Sequence, residues 1–317
     1  MLFLVEKALD FERIEFIGGN MKNENTFHKY SMILKSICLI GLSLMRTPAF
    51  AGPQLQLGSS LAPVQLEEAL ASVKPGSIIL LGEEHNTQEQ PKFQIEVMQA
   101  IRSMNMLVSV GMEFVSYPFQ NFVDQYRSGS LIEADFLKNI LWSGFKFDFY
   151  REQIRFPKLG ESQTIALNAP QFLTAKVAKL GLGSLSQDEL ALLPAHFQTG
   201  NASYFERFKN IMQEHLPNAE ALNSYFAAQS IWDDTMAWKA TDFIKANPNQ
   251  VLVIVVGEFH TQYGGGLPER IKARGIENLI SFSLINTKDM DANELQENLL
   301  PSQRYGDRAN YIWTIQY

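Results

Sequence analysis

Two short stretches repeat one spacing of reactive residue types: Gly82-Glu83-Glu84-His85 and Gly257-Glu258-Phe259-His260. Each follows an apolar run, at 78–81 and 251–256. Twenty glycines and five histidines in 317 residues give roughly 0.3 Gly-x-x-His spacings by chance, so two copies with Glu in second place point to a shared task. A third apolar run leads through Val108-Ser109-Val110-Gly111-Met112 to the carboxylate of Glu113. Two neutral imidazoles and a carboxylate, His85, Glu113 and His260, are a donor set for Zn²⁺, Fe²⁺ or Mn²⁺ with positions left open to water or substrate. Such a metal lowers the pKa of bound water, and Glu83 or Glu84 then stands as general base in hydrolysis of an amide or ester. The plainer alternative has both histidines capping strand ends and Glu113 paired with an arginine.

Other polar residues belong to the same rim. Asn168-Ala169-Pro170 ends a fourth apolar run and presents an amide. After His260 come Thr261, Gln262, Tyr263 and Gly264-Gly265-Gly266, whose backbone N–H groups can meet a carboxylate or phosphate. Gln229, Asp233 and Met236 fall at i, i+4 and i+7 of an otherwise apolar helical stripe, which makes them a buried network or the wall of a ligand site.

The elements that must position these residues are legible as alternation. Apolar runs at 77–81, 107–110, 164–167, 251–256, 279–282 and 311–315 have the length and β-branched content of buried strands. Phe93, Val97, Ile101 and Met104 mark one face of an intervening helix that begins near Pro91. Alternation of this kind predicts an α/β fold, a mostly parallel sheet flanked by helices. In such sheets ligands bind outside the carboxyl ends of the strands, where both Gly-Glu-x-His segments lie. Helical patterns without a strand, at about 115–160 and 185–246, predict a smaller helical insertion or lid; Ser186-Gln187-Asp188-Glu189 is a capping-box signature there.

Composition narrows the function. A net charge of -7 argues against nucleic-acid partners, which need clustered Lys and Arg. Residues 1–51 read as an upstream extension followed by an export signal: Lys22, Lys29 and Lys35 precede the apolar run 37–45, and Ala49-Phe50-Ala51 supplies a cleavage site. Met21 is then the expected start, and 52–317 the mature, exported chain, periplasmic or extracellular. The apolar run is shorter than the ~20 residues a membrane span needs, so no transmembrane anchor is expected. The single cysteine, Cys38, falls in the signal, which removes thiolate chemistry from the mature chain.

From about residue 80 to 317 the sequence resembles the ChaN-like haem-binding uptake proteins, within a wider group that includes Tiki-type metalloproteases and erythromycin esterases. The resemblance is carried by Leu81-Gly82-Glu83-Glu84-His85, by Gly111-Met112-Glu113-Phe114 with Pro118-Phe119-Gln120, and by Ile165-Ala166-Leu167-Asn168-Ala169-Pro170. Ala228-Gln229-Ser230-Ile231-Trp232-Asp233-Asp234-Thr235-Met236-Ala237 and Gly257-Glu258-Phe259-His260 with Tyr263-Gly264 complete it. It implies a haem-binding protein of iron uptake, with haem held by a tyrosine at a homodimer interface and polar residues on the propionates. Tyr263 and Tyr117 stand as the tyrosines near the rim, with Asn168, Gln229 and Asp233 as polar partners. In the enzymatic relatives the same motifs imply the metal-dependent hydrolase centre of His85, Glu113 and His260.

Overall fold

Seven strands form one sheet in the computed structural model, which describes residues 53–315. The expected signal at 1–51, with Met21 and Cys38, lies outside the described residues. The strands are β1 (Gln54–Leu57), β2 (Ile78–Glu83), β3 (Leu107–Ser116), β4 (Thr164–Asn168), β5 (Gln250–Gly257), β6 (Leu279–Asn286) and β7 (Tyr311–Ile315). Their order across the sheet is β1-β7-β6-β2-β5-β3-β4. All neighbours are parallel except β1 and β7.

The helices are α1 (Leu66–Ala69), α2 (Gln90–Ser103), α3 (Gln120–Ser128), α4 (Glu133–Asn139), α5 (Arg151–Arg155), α6 (Gln171–Leu180), α7 (Gln187–Leu190), α8 (Ala202–Met212), α9 (Ala219–Ala246), α10 (Leu267–Ala273) and α11 (Ala292–Leu299). Helices α3–α5 fill the stretch between β3 and β4, and α6–α9 the stretch between β4 and β5. No helix among the described residues is long and apolar enough to cross a membrane.

Side-chain alternation along the strands divides the core. Ile79 and Leu81 of β2 join Val253 and Val255 of β5 under α2, whose Phe93, Val97, Met98 and Ile101 cover that face. Ile78 and Leu80, with Leu252, Ile254 and Val256, face Met236, Ala237, Ala240 and Ile244 of α9 and Leu267 and Ile271 of α10. Each of the fully buried residues 78–81 contributes roughly 1.5–3 kcal/mol relative to exposure. Burial on both faces explains why these strands lack a polar-apolar alternation in sequence.

Helix α9 starts at Asn218, whose side chain accepts from the Ala221 amide. Its alanines allow close approach: Ala227, Ala228 and Ile231 pack on Leu173 and Val177 of α6. The Ser186 capping box forms as expected, at the start of α7.

Two features differ from the sequence expectations. Strand β1 carries only four residues, Gln-Leu-Gln-Leu, too short a run to separate from a loop, and it pairs antiparallel at the sheet edge. Strand β3 runs on to Ser116 rather than stopping at Val110. It is paired with β5 only as far as Met112↔Val255, and its register with β4 shifts between Met112 and Ser116. That irregularity puts Glu113 inside a strand yet free of the regular ladder.

Candidate functional site

The carboxyl ends of β2, β3 and β5 are neighbours in the sheet, so the two Gly-Glu-x-His segments and Glu113 meet. Their packing is reciprocal. A Cβ on Gly257 would lie 2.9 Å from both Cε1 and Nε2 of His85 and 3.4 Å from Oε2 of Glu113. A Cβ on Gly82 would lie 2.5 Å from the Thr261 hydroxyl and 3.2 Å from Cα of Glu258. Each motif's glycine therefore makes room for the other motif's residues, a requirement of close approach rather than of backbone conformation.

The two histidines are held differently. Glu83, at the end of β2, is buried and accepts from Gln94 Nε2 of α2 at 2.5 Å, from the Tyr150 hydroxyl at 2.5 Å and from His85 Nδ1 at 3.1 Å. Holding Nδ1 fixes the ring and turns Nε2 toward Gly257. Phe114 and Phe145 meet the His85 ring edge-on at 5.2 and 5.0 Å.

His260 is enclosed on both nitrogens. Its Nδ1 lies 2.7 Å from Oδ1 of Asp233 and 3.1 Å from Nε2 of Gln229, and its Nε2 lies 3.3 Å from Oε1 of Glu113. Tyr204 of α8 donates to the other oxygen of Asp233 at 2.8 Å and accepts from Gln229 at 3.0 Å. Burial alone would lower the pKa of His260, but the Glu113 and Asp233 carboxylates outweigh it and raise it. Burial likewise opposes ionisation of Glu113, and the His260 charge and hydrogen bond, helped by His85 and the Gly257 amide, bring its pKa below the usual range.

His85, Glu113 and His260 converge, and Glu113 is bound by His260 and the Gly257 amide. Among the described residues no group of three or more His, Cys, Asp or Glu is arranged to hold a metal ion.

The two candidate bases separate as well. Glu83 serves three donors and orients His85. Glu84 points to the opposite side of β2, where burial first and the nearby Glu258 second push its pKa up to about 7. Glu258 is itself clamped by Arg308, by the Ser283 hydroxyl and by Gln262 Nε2 at 2.7 Å. Asn168 accepts from the Ala169 amide, a turn contact at the end of β4.

The two tyrosines differ too. Tyr117 donates to the Leu192 carbonyl at 3.1 Å and lies beside Trp238 and Lys239; burial raises its pKa. Tyr263 is half-buried in the turn after His260, with φ 56° and ψ 26°, a left-handed conformation that costs a non-glycine residue about 1–3 kcal/mol. Two guanidiniums face its ring, Arg207 at 5.1 Å and Arg308 at 6.0 Å. Tyr263 also lines a cavity of about 290 Å³ with Tyr204, Arg207 and Lys272.

Sequence reasoning missed Gln94, Tyr150, Tyr204, Arg207 and Arg308. Only Arg207 carried a local signal, a charge set between Tyr204 and Phe208 on the apolar stripe of α8.

The family described as haem-binding uptake, Tiki superfamily, ChaN matches residues 69–271. The chain belongs to the ChaN family. A solved structure of ChaN from Campylobacter jejuni with cofacially bound haem superposes with a TM-score of 0.60 at 18% identity, covering 83% of this chain and 96% of that one. At that identity the ChaN likeness shows the α/β fold alone. An erythromycin esterase mutant in its open conformation aligns at 12% identity and TM-score 0.41, over 76% of this chain and 90% of the other. A succinoglycan biosynthesis protein aligns at 12% identity and TM-score 0.46, over 84% and 94%. No curated protein sequence matches the chain.

Proposed function

We propose that this ChaN-family protein is exported and binds haem in iron uptake, with Tyr263 as the iron ligand. The observation that carries the haem reading is the family match across residues 69–271. When bound, haem would supply a ferric iron, and the Tyr263 phenolate oxygen would hold it. The residues present fit that group: Tyr263 stands half-buried on a strained turn, and Arg207 and Arg308 beside it offset the negative charge of a bound phenolate. Tyr117 fits less well, since its hydroxyl already serves the Leu192 carbonyl and burial opposes its ionisation.

A cavity of about 290 Å³ lies at the small end of the roughly 300–1,000 Å³ range of ligand pockets, so one chain would cover only part of a porphyrin. Partial cover suits a homodimer with haem between its chains, in keeping with the cofacial haem of the C. jejuni protein. The His85, Glu113 and His260 cluster serves in this reading as the rigid floor that sets the Gln262–Gly264 turn.

Titration of the purified protein with ferric haem, followed at the Soret band, tests the reading. A saturable, stoichiometric endpoint is expected. A linear, unsaturable rise matching non-specific adsorption would overturn it.

A further inference from the structure

Arg207 is a buried charge with no carboxylate in direct contact. It is 6% exposed, forms no ion pair among the described residues, and feels the Asp233 carboxylate only at longer range. Its Nη1 makes one long hydrogen bond, 3.4 Å to Gln262 Oε1, and its Nη2 is buried with no partner. The rings of Tyr204, Phe259 and Tyr263 surround the guanidinium at 5.2, 5.2 and 5.1 Å. Cation–π contacts contribute roughly 0.5–2 kcal/mol each. Removing a cation from water costs several kcal/mol, so the rings leave its charge incompletely matched. Burial lowers the Arg207 pKa from its ordinary value, in keeping with that mismatch.

The same side chain lines the cavity of about 290 Å³, beside Lys272 and Ser203. One acidic residue, Glu269, also lines it, and its carboxylate accepts from Asn201 Nδ2 at 2.9 Å. The cavity thus holds two cations against one carboxylate that already has a partner. Asn201 caps α8, an eleven-residue helix, by accepting from the Tyr204 amide, and Asn201, Ser203 and Tyr204 at this helix start line the cavity.

We propose that this cavity is a binding site for an oxyanion, a carboxylate or phosphate group, with Arg207 as its buried charge and Lys272 at its mouth. Guanidinium suits either group, because its planar fork matches two oxygens at once. The oxyanion has two sources, a free small anion or an acidic group carried by haem bound at the neighbouring Tyr263. The site itself does not require the haem reading.

Calorimetric titration of the haem-free protein with inorganic phosphate tests the proposal. One saturable site is expected, weakened about 10-fold or more by Arg207→Gln, as loss of a charged hydrogen-bond donor predicts. The exposed Lys272→Gln should weaken it about 2–5-fold, and it keeps the test decisive should Arg207→Gln fail to fold. Repeating the phosphate titration on haem-loaded protein separates the sources: lost phosphate affinity assigns the site to haem's own carboxylates, and unchanged affinity assigns it to a free anion. Absence of saturable phosphate binding, or binding unchanged in both variants, would overturn the proposal while leaving the haem titration standing.

Discussion

The two Gly-Glu-x-His segments begin from one pattern and end in opposite environments. In the first, the glutamate stays in strand β2 and turns back on its own motif, where Glu83 holds His85. In the second, β5 ends at Gly257 and the chain enters a 3-10 turn, so Glu258 faces Arg308 and Ser283 instead. His260 takes its partners from elsewhere, Asp233 of α9 and Glu113 of β3. His85 keeps one ring nitrogen toward Gly257 and a 19% exposed side chain, whereas His260 is 3% exposed and doubly paired. One ring is oriented from one side, and the other is enclosed on both. A repeated motif therefore marks a shared location, and the surrounding elements decide what each copy does.

Substitutions can break that contrast. Asp233→Ala removes one of the two carboxylates paired with buried His260 and takes the acceptor from the Tyr204 hydroxyl, so unfolding in urea should show a loss of about 3–5 kcal/mol. Gly257→Ala drives a methyl against the His85 ring and should cost about 1–3 kcal/mol by overpacking, with His85 ring resonances shifted in NMR spectra and those of Asp233-bound His260 less so. Glu83→Gln preserves volume but weakens the acceptor shared by Gln94, Tyr150 and His85; a loss of about 1–3 kcal/mol is expected, smaller than for Asp233→Ala because the amide keeps one acceptor oxygen.

The pH dependence of stability supplies a finer test. The folded pKa of His260 is raised, so its pairing stabilises fully below the ordinary histidine value and is lost as pH rises through the folded value. Glu84 acts in the same direction at lower pH. Its pKa rises from 4.5 unfolded to about 7 folded, so the folded state holds the extra proton and stability declines as pH climbs between those values. Glu84→Gln should flatten the decline in Tm across that window and leave the alkaline limb unchanged.

Much of the sheet was legible because strands buried on both faces show as short apolar runs, and the sites at their ends inherit that visibility. Glu113, His85 and His260 were found this way, as were Gln229 and Asp233, polar residues on an apolar helix. Their partners were not. Tyr150 is 67 residues from Glu83, Tyr204 is 29 from Asp233 and Arg308 is 50 from Glu258, pairings that no local pattern records. The same limit holds at the ring itself: residue types alone cannot show that Asp233 occupies Nδ1 of His260.

Comparison of Tyr263→Phe with Tyr117→Phe in the haem titration tests the central claim most directly. Both rings are retained, so folding is spared and only the hydroxyl is removed. Unaltered protein and Tyr117→Phe should reach the same saturated, tyrosinate-type Soret spectrum, while Tyr263→Phe loses that spectrum or binds haem at least tenfold more weakly, about 1.4 kcal/mol. An unchanged spectrum and affinity in Tyr263→Phe would contradict the assignment of Tyr263 as the iron ligand.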